Sequence, residues 1–181
     1  MLRIVALYKV YWTIHKQKRK RQVPPLIHDH LMADYFDGAA SNGIGGSGFI
    51  LHINDTHFYR GWTGLVDSTN NLVKITAVWT LLYRAHKIQV KEHKIFGDSL
   101  LVIGWLQGNS MIHATNLTHR CSRIKELIQL FDQVHFNHIY KEHNLEADRL
   151  SKKGIGSPEG YLQIEETLDG IIIRSFTHRI F

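Results

Sequence analysis

The sequence predicts an α/β domain: a mixed five-stranded sheet flanked by helices, with a small C-terminal β-hairpin. Three observations carry this reading. Runs that alternate apolar and polar residues are followed by runs with apolar residues at helical spacing, in the order β-β-β-α-β-α-α-β-α. Strands that follow one another directly pair antiparallel, whereas strands separated by helices pair parallel, so the sheet is mixed and its faces are covered. Finally, Asp169-Gly170 divides residues 161–176 into two strand-like runs, a strong two-residue turn signal.

Each element has its own signal. Residues 33–37 (ADYFD) form a short strand candidate, followed by a glycine-rich stretch, Gly38 to Gly48, read as a turn. Residues 49–54 and 56–63 read as a hairpin joined at Asn54-Asp55. Residues 69–86 place Leu72, Ile75, Val78 and Leu82 on one helical face, with Thr69 as the N-cap. Residues 94–97 (KIFG) read as a strand, and a helix over 99–107 follows at once. An amphipathic helix is expected over 116–131, a strand over 134–139 and a last helix over 145–153.

At 181 residues the chain fits one domain with tails: a basic arm over 1–32, the main domain over 33–155 and the hairpin extension over 156–181. A single cysteine, Cys121, excludes an internal disulfide and a cysteine-rich zinc site. No apolar run approaches the roughly 18 residues of a membrane span, so no membrane partner is expected. The net charge is +6, and it is unevenly placed. Seven basic side chains and one acid lie in the first 32 residues, leaving 15 of each in the rest. The segment HKQKRKR, His15 to Arg21, is a nuclear localisation signal, a phosphate-gripping arm or a solvated linker. An intracellular monomer, nuclear or cytoplasmic, is the expectation, with a mitochondrial presequence as the minor alternative.

The chemistry rests on three carboxylates at strand edges. Asp37 ends the first strand, Asp98 ends the fourth, and Asp148 lies in the first turns of the last helix. Functional groups of open α/β sheets cluster outside strand ends. Converging carboxylates need a counter-charge, and oxygen-only ligands favour Mg²⁺ or Mn²⁺. Two such ions could clamp both oxygens of a phosphodiester displacement. Any one Asp taken alone is more often a cap or turn residue. Gly43 to Gly48 (GIGGSG) matches a dinucleotide fingerprint, but a strand-like run follows where that site needs a helix, so no small-molecule cofactor is expected.

The words around these carboxylates add a resemblance. Phe36-Asp37-Gly38-Ala39, Thr69-Asn70-Asn71, Trp79-Thr80-Leu81-Leu82, Ile95-Phe96-Gly97-Asp98-Ser99, Phe136-Asn137-His138-Ile139-Tyr140 and Glu146-Ala147-Asp148-Arg149-Leu150-Ser151 occur in this order. Over about residues 33–155 the chain resembles ribonuclease H type 1, of the kind carried with reverse transcriptase in plant retrotransposon polyproteins. The resemblance implies a nuclease of RNA–DNA hybrids that hydrolyses phosphodiesters with two Mg²⁺ or Mn²⁺ ions. It matches Asp37, Asp98 and Asp148 to three of four metal-binding carboxylates. It matches His138 to a mobile-loop histidine that assists product release or proton transfer. Asn70 and Asn71 match minor-groove readers, and Asn42 and Gly43 lie in the loop that contacts RNA 2′-hydroxyls, groups that an A-like duplex exposes in a wide minor groove.

One position departs from the pattern. The family's fourth carboxylate, a Glu three residues after the second Asn, is Lys74 here. No Asp or Glu occurs between Ser68 and Lys91, so no shift of register restores an acid. An ammonium 4–6 Å from a metal costs roughly 3–4 kcal/mol per unit of charge at an effective dielectric near 20, unless the lysine swings away or deprotonates. Metal affinity and hybrid cleavage are therefore expected to be severely reduced. The alternatives are a catalytically inactive module that binds hybrid or other nucleic acid, and a structural role without nucleic acid.

Overall fold

The computed structural model describes residues 32–112 and 114–180. The basic arm, and with it every reading of His15 to Arg21, lies outside the described residues. The elements run β1 (Ala33–Ser41), β2 (Ile44–His52), β3 (His57–Leu65), α1 (Asn70–Lys87), β4 (Glu92–Gly97), α2 (Leu100–Gln107), α3 (Thr115–Ile128), β5 (Gln133–His138), α4 (Leu145–Gly154), β6 (Tyr161–Leu168) and β7 (Ile171–Arg179). A 3₁₀ turn, Lys141–His143, precedes α4.

The sheet has seven strands where five were expected, in the order β5-β4-β1-β2-β3-β6-β7. The first three strands are antiparallel, and β4 and β5 add in parallel to β1. The C-terminal hairpin forms at Asp169-Gly170, both with positive φ. It is no separate appendage, because β6 pairs with β3 along six residues and continues the sheet. Leu162 and Ile164 supply the reason: both alternate inward and are buried in the main core, at about 25 cal/mol per Å² of apolar area removed from water. β7 is the outer edge and is largely exposed.

A second correction concerns the glycine-rich stretch. Only Asn42 and Gly43 form the turn, with φ of 54° and 78°. The other glycines lie inside β1 and β2, where helices press on the sheet. A Cβ on Gly38 would meet the backbone of α1, and one on Gly46 or Gly48 the backbone of α4. These glycines mark close approach of backbone to backbone rather than a turn. The dinucleotide-like pattern therefore spans the turn and the first half of β2 rather than a loop that opens a helix.

Helix α1 is the centre of one layer. Thr69 caps it through its side chain, which accepts from the Leu72 N–H at 3.3 Å. It buries residues on nearly all sides, including Leu72, Val73, Ile75, Val78, Leu81 and Leu82, between the sheet and α3. Helix α3 contributes Leu117, Cys121 and Ile124 to that core, and α4 covers β2 with Leu150 against Ile50 and Trp62.

One polar cluster ties the hairpin to the body. Glu166 on β6 accepts a 2.7 Å hydrogen bond from Tyr59 Oη, and His57 Nε2 lies 2.9 Å from the same oxygen. Burial acts to raise the Glu166 pKa, but the bonds from Tyr59 and His57, with Arg174 nearby, outweigh it and hold the carboxyl below its usual range. Its contribution is therefore present at neutral pH and lost as the pH falls through that lowered value. Glu166→Ala is expected to lower the unfolding free energy in urea by about 1–3 kcal/mol, since the Tyr59 hydroxyl loses a charged acceptor. An unchanged urea midpoint would show that this cluster does not help to hold the hairpin.

Candidate nucleic-acid interface

The candidate site is built where β4 ends beside the middle of β1, the two strands being adjacent and parallel. Asp37 does not end the first strand as expected but lies in the middle of β1, which runs on to Ser41 because residues 38–41 pair with β2; it is in register with Gly48 and its side chain is 3% exposed. Asp98 follows β4 directly. Ser99, the next residue, caps α2 by accepting from the Val102 N–H at 3.3 Å. Strand end and helix start thus fix Asp98 beside β1.

Helix α1 brings Lys74 between the two carboxylates. Its Nζ donates to Asp37 Oδ1, and to Asp98 Oδ1 at 2.5 Å. The lysine neither swings away nor loses its proton. Burial works to lower its pKa, but the two carboxylates outweigh that and hold it above the ordinary lysine value. Burial likewise raises Asp37, opposed by Lys74 and reinforced by Asp98. Gly38 makes this geometry possible. The α1 backbone packs on its bare Cα, and Ser47 Oγ donates to the Val73 carbonyl at 2.6 Å to hold the helix there.

Asp148 reaches the same end of the sheet from α4. Asn144, buried ahead of that helix, donates from Nδ2 to the Phe36 carbonyl at 3.0 Å, one residue before Asp37. Its carboxylate is already engaged: Lys152 Nζ donates to Oδ2 at 2.6 Å, and Lys141 Nζ lies 3.7 Å from Oδ1. Among the described residues no group of three acidic, histidine or cysteine side chains is arranged to hold a metal ion. The residues present do not fit the divalent ions that the resemblance implies. Asp37 and Asp98 are drawn together around an ammonium, and Asp148 is paired separately.

His138 ends β5, with its Cα opposite Gly97, the residue before Asp98. Its ring packs edge-on against Tyr140 at 6.0 Å. The remaining site residues form a polar track that leads toward the carboxylates. The Asn42-Gly43 turn is bound to the start of α1, where the Ser68 N–H donates to the Gly43 carbonyl at 2.9 Å. Asn70 Oδ1 accepts from the Ala40 N–H at 3.0 Å, which leaves its amide NH₂ for a ligand. Asn71 follows, half-buried, and Lys74 stands one helical turn further on.

Sequence reasoning assigned no role to Asn144, Lys141 or Lys152. The last was legible, because a basic residue four positions after Asp148 on a helix shares its face. Asn144 was not, since its role depends on a contact 108 residues away.

Comparison with known proteins fits this architecture. A family model described as reverse transcriptase-like matches residues 35–154. The structure is similar to ribonuclease H1 from the halophilic archaeon Halobacterium salinarum, with 26% identity and a TM-score of 0.64 over 67% of this chain and 95% of that one. It is similar in fold to an N-terminal ribonuclease H domain from Mycobacterium tuberculosis, with 20% identity and a TM-score of 0.63 over 67% and 92% of the two chains. It is also similar in fold to a ribonuclease H1 from a compost metagenome, solved with an RNA/DNA hybrid, with 21% identity and a TM-score of 0.60 over 68% and 95%. From these matches and the strand order, the chain belongs to the reverse transcriptase-like family and carries its ribonuclease H-like fold.

Proposed function

We propose that this domain binds RNA–DNA hybrids along the track from the Asn42-Gly43 turn through Asn70 and Asn71 to Lys74, and that it has lost efficient cleavage. The observation that carries the reading is the Lys74 ammonium held between Asp37 and Asp98. A divalent ion shared by these two carboxylates would have to displace it against like-charge repulsion. What remains is a surface of amide groups at a helix N-terminus and a tight turn, suited to 2′-hydroxyls and phosphate oxygens. The compost-derived relative, crystallised with a hybrid, supports the choice of partner.

Binding of the full chain to a labelled 18-mer-class hybrid (about two turns, enough to cover a ribonuclease H-sized footprint), beside matched duplex DNA and duplex RNA, tests this. Preference for the hybrid is expected, and Asn71→Ala is expected to weaken it by about 1–2 kcal/mol, the worth of lost hydrogen bonds to a charged or polar backbone. Equal affinity for all three duplexes would sink the reading.

The basic arm adds a second test. If Lys16 to Arg21 grip phosphate, deleting residues 1–22 weakens hybrid binding and reduces the slope of log K against log salt by about one per cation engaged. An unchanged slope would leave the arm without a role in binding.

A further inference from the structure

We propose that the Lys74 ammonium is the resident cation of this site, standing where a divalent ion shared by Asp37 and Asp98 would lie, and that it contacts a backbone phosphate of the bound nucleic acid. The phosphate contact rests on the hybrid-binding reading, and the resident-cation role stands without it.

Charge balance is the first argument. Three carboxylates gather at this end of the sheet, Asp37, Asp98 and Asp148, and three ammoniums are paired with them, Lys74, Lys152 and Lys141. Polyanionic nucleic acid cannot approach uncompensated buried carboxylates without a cation, which ordinarily must be recruited from solvent. Here the chain supplies that cation itself, so nothing need be recruited.

Donor geometry is the second. An ammonium has three N–H donors. Two are spent on Asp37 and Asp98. The third is not used within the described residues, and the side chain is 14% exposed. It sits one turn along α1 from Asn70 and Asn71, at the end of the polar track. A phosphate oxygen there would complete the shell, giving a charge-assisted bond of the kind that positions a backbone.

The third is placement. Lys74 is not a long surface side chain that happened to fold inward. Its Cα is fixed by the α1 backbone on Gly38, and its reach is fixed by the Ser47 bond to Val73. The backbone of position 74 is therefore held against β1, and its side chain starts within reach of both carboxylates.

The test uses the full chain, the unaltered protein beside Lys74→Met and Lys74→Glu, at matched ionic strength with EDTA or with Mg²⁺. Thermal melting without nucleic acid reads the cation. The unaltered chain should melt at the same temperature in both buffers. Lys74→Glu should melt lower in EDTA and recover with Mg²⁺, because Asp37, Asp98 and the introduced carboxylate then lack a counter-charge. Hybrid binding reads the phosphate contact. The unaltered chain should bind equally in both buffers, and Lys74→Met should bind about tenfold more weakly in EDTA, the loss of one charge-assisted bond. Stabilisation of the unaltered chain by Mg²⁺ would overturn the resident cation. Unweakened binding by Lys74→Met would overturn the phosphate contact. Absence of hybrid binding by the unaltered chain in either buffer would overturn the hybrid reading and the contact together, while melting still decides the cation. If Lys74→Glu proves unfolded in both buffers, the response of the unaltered chain to Mg²⁺ still decides it.

Discussion

Lys74→Glu is expected to gain Mg²⁺-dependent cleavage of an RNA–DNA hybrid that the unaltered chain leaves largely intact. The change removes the ammonium from between Asp37 and Asp98 and puts a carboxylate where the resemblance to ribonuclease H places one. Metal-supplied charge stabilisation is worth several kcal/mol, so a gain of about 10²–10⁴ in rate is the expected scale. Asp148 does not stand in the way. Its partners Lys152 and Lys141 are about 60% exposed, and exposed ion pairs are worth only about 0–1 kcal/mol, so both can yield to a stronger cation. The control is Asp98→Asn in the Lys74→Glu background, which should abolish the gain. Failure of Lys74→Glu to cut at any Mg²⁺ concentration would mean that something other than Lys74 silences the site.

Gly38→Val should cost about 3 kcal/mol, the upper end of what overpacking a well-packed interior does. A Cβ on Gly38 would lie 2.5 Å from the Lys74 backbone nitrogen and 2.6 Å from the Val73 carbonyl carbon. Both are main-chain atoms of a helix buried between the sheet and α3, so neither can rotate aside. Relief requires α1 to lift from β1, which also draws Lys74 away from Asp37. The urea midpoint should fall at nearly constant m-value, the signature of lost stability without a changed unfolded state. A loss below about 0.5 kcal/mol, typical of an unconstrained surface position, would show that α1 is not seated on Gly38.

Much of this architecture was legible from the chain, for identifiable reasons. Local signals with one meaning were read correctly: Thr69 as a cap, Asp169-Gly170 as a two-residue turn, the apolar spacing of α1. The glycine-rich stretch was misread because glycine carries two meanings, turn and close approach, and only the partner helix distinguishes them. The Asn42-Gly43 dipeptide within it was the true turn signal. The extra strands were seen as a hairpin, but their union with β3 was not, because register between residues about a hundred positions apart leaves no local trace. At the site, Asp37, Asp98 and Lys74 were identifiable as residues, and so was the absence of any acid from Ser68 to Lys91. That the ammonium bridges the two carboxylates, rather than avoiding the site, follows from burial on one side and Gly38 on the other. Neither is visible in the order of residues. The pairing of Asp148 with Lys152 was within reach of helical spacing, whereas the Asn144 anchor was not.

An end-labelled RNA–DNA hybrid mixed with the unaltered chain, across a range of Mg²⁺ and Mn²⁺, separates a binder from a nuclease directly. A retarded complex whose RNA strand stays intact, with the same retardation in EDTA, is the predicted result. Cleavage by the unaltered chain that disappears in Asp98→Asn would contradict it, and would show that three carboxylates suffice with Lys74 displaced from between them.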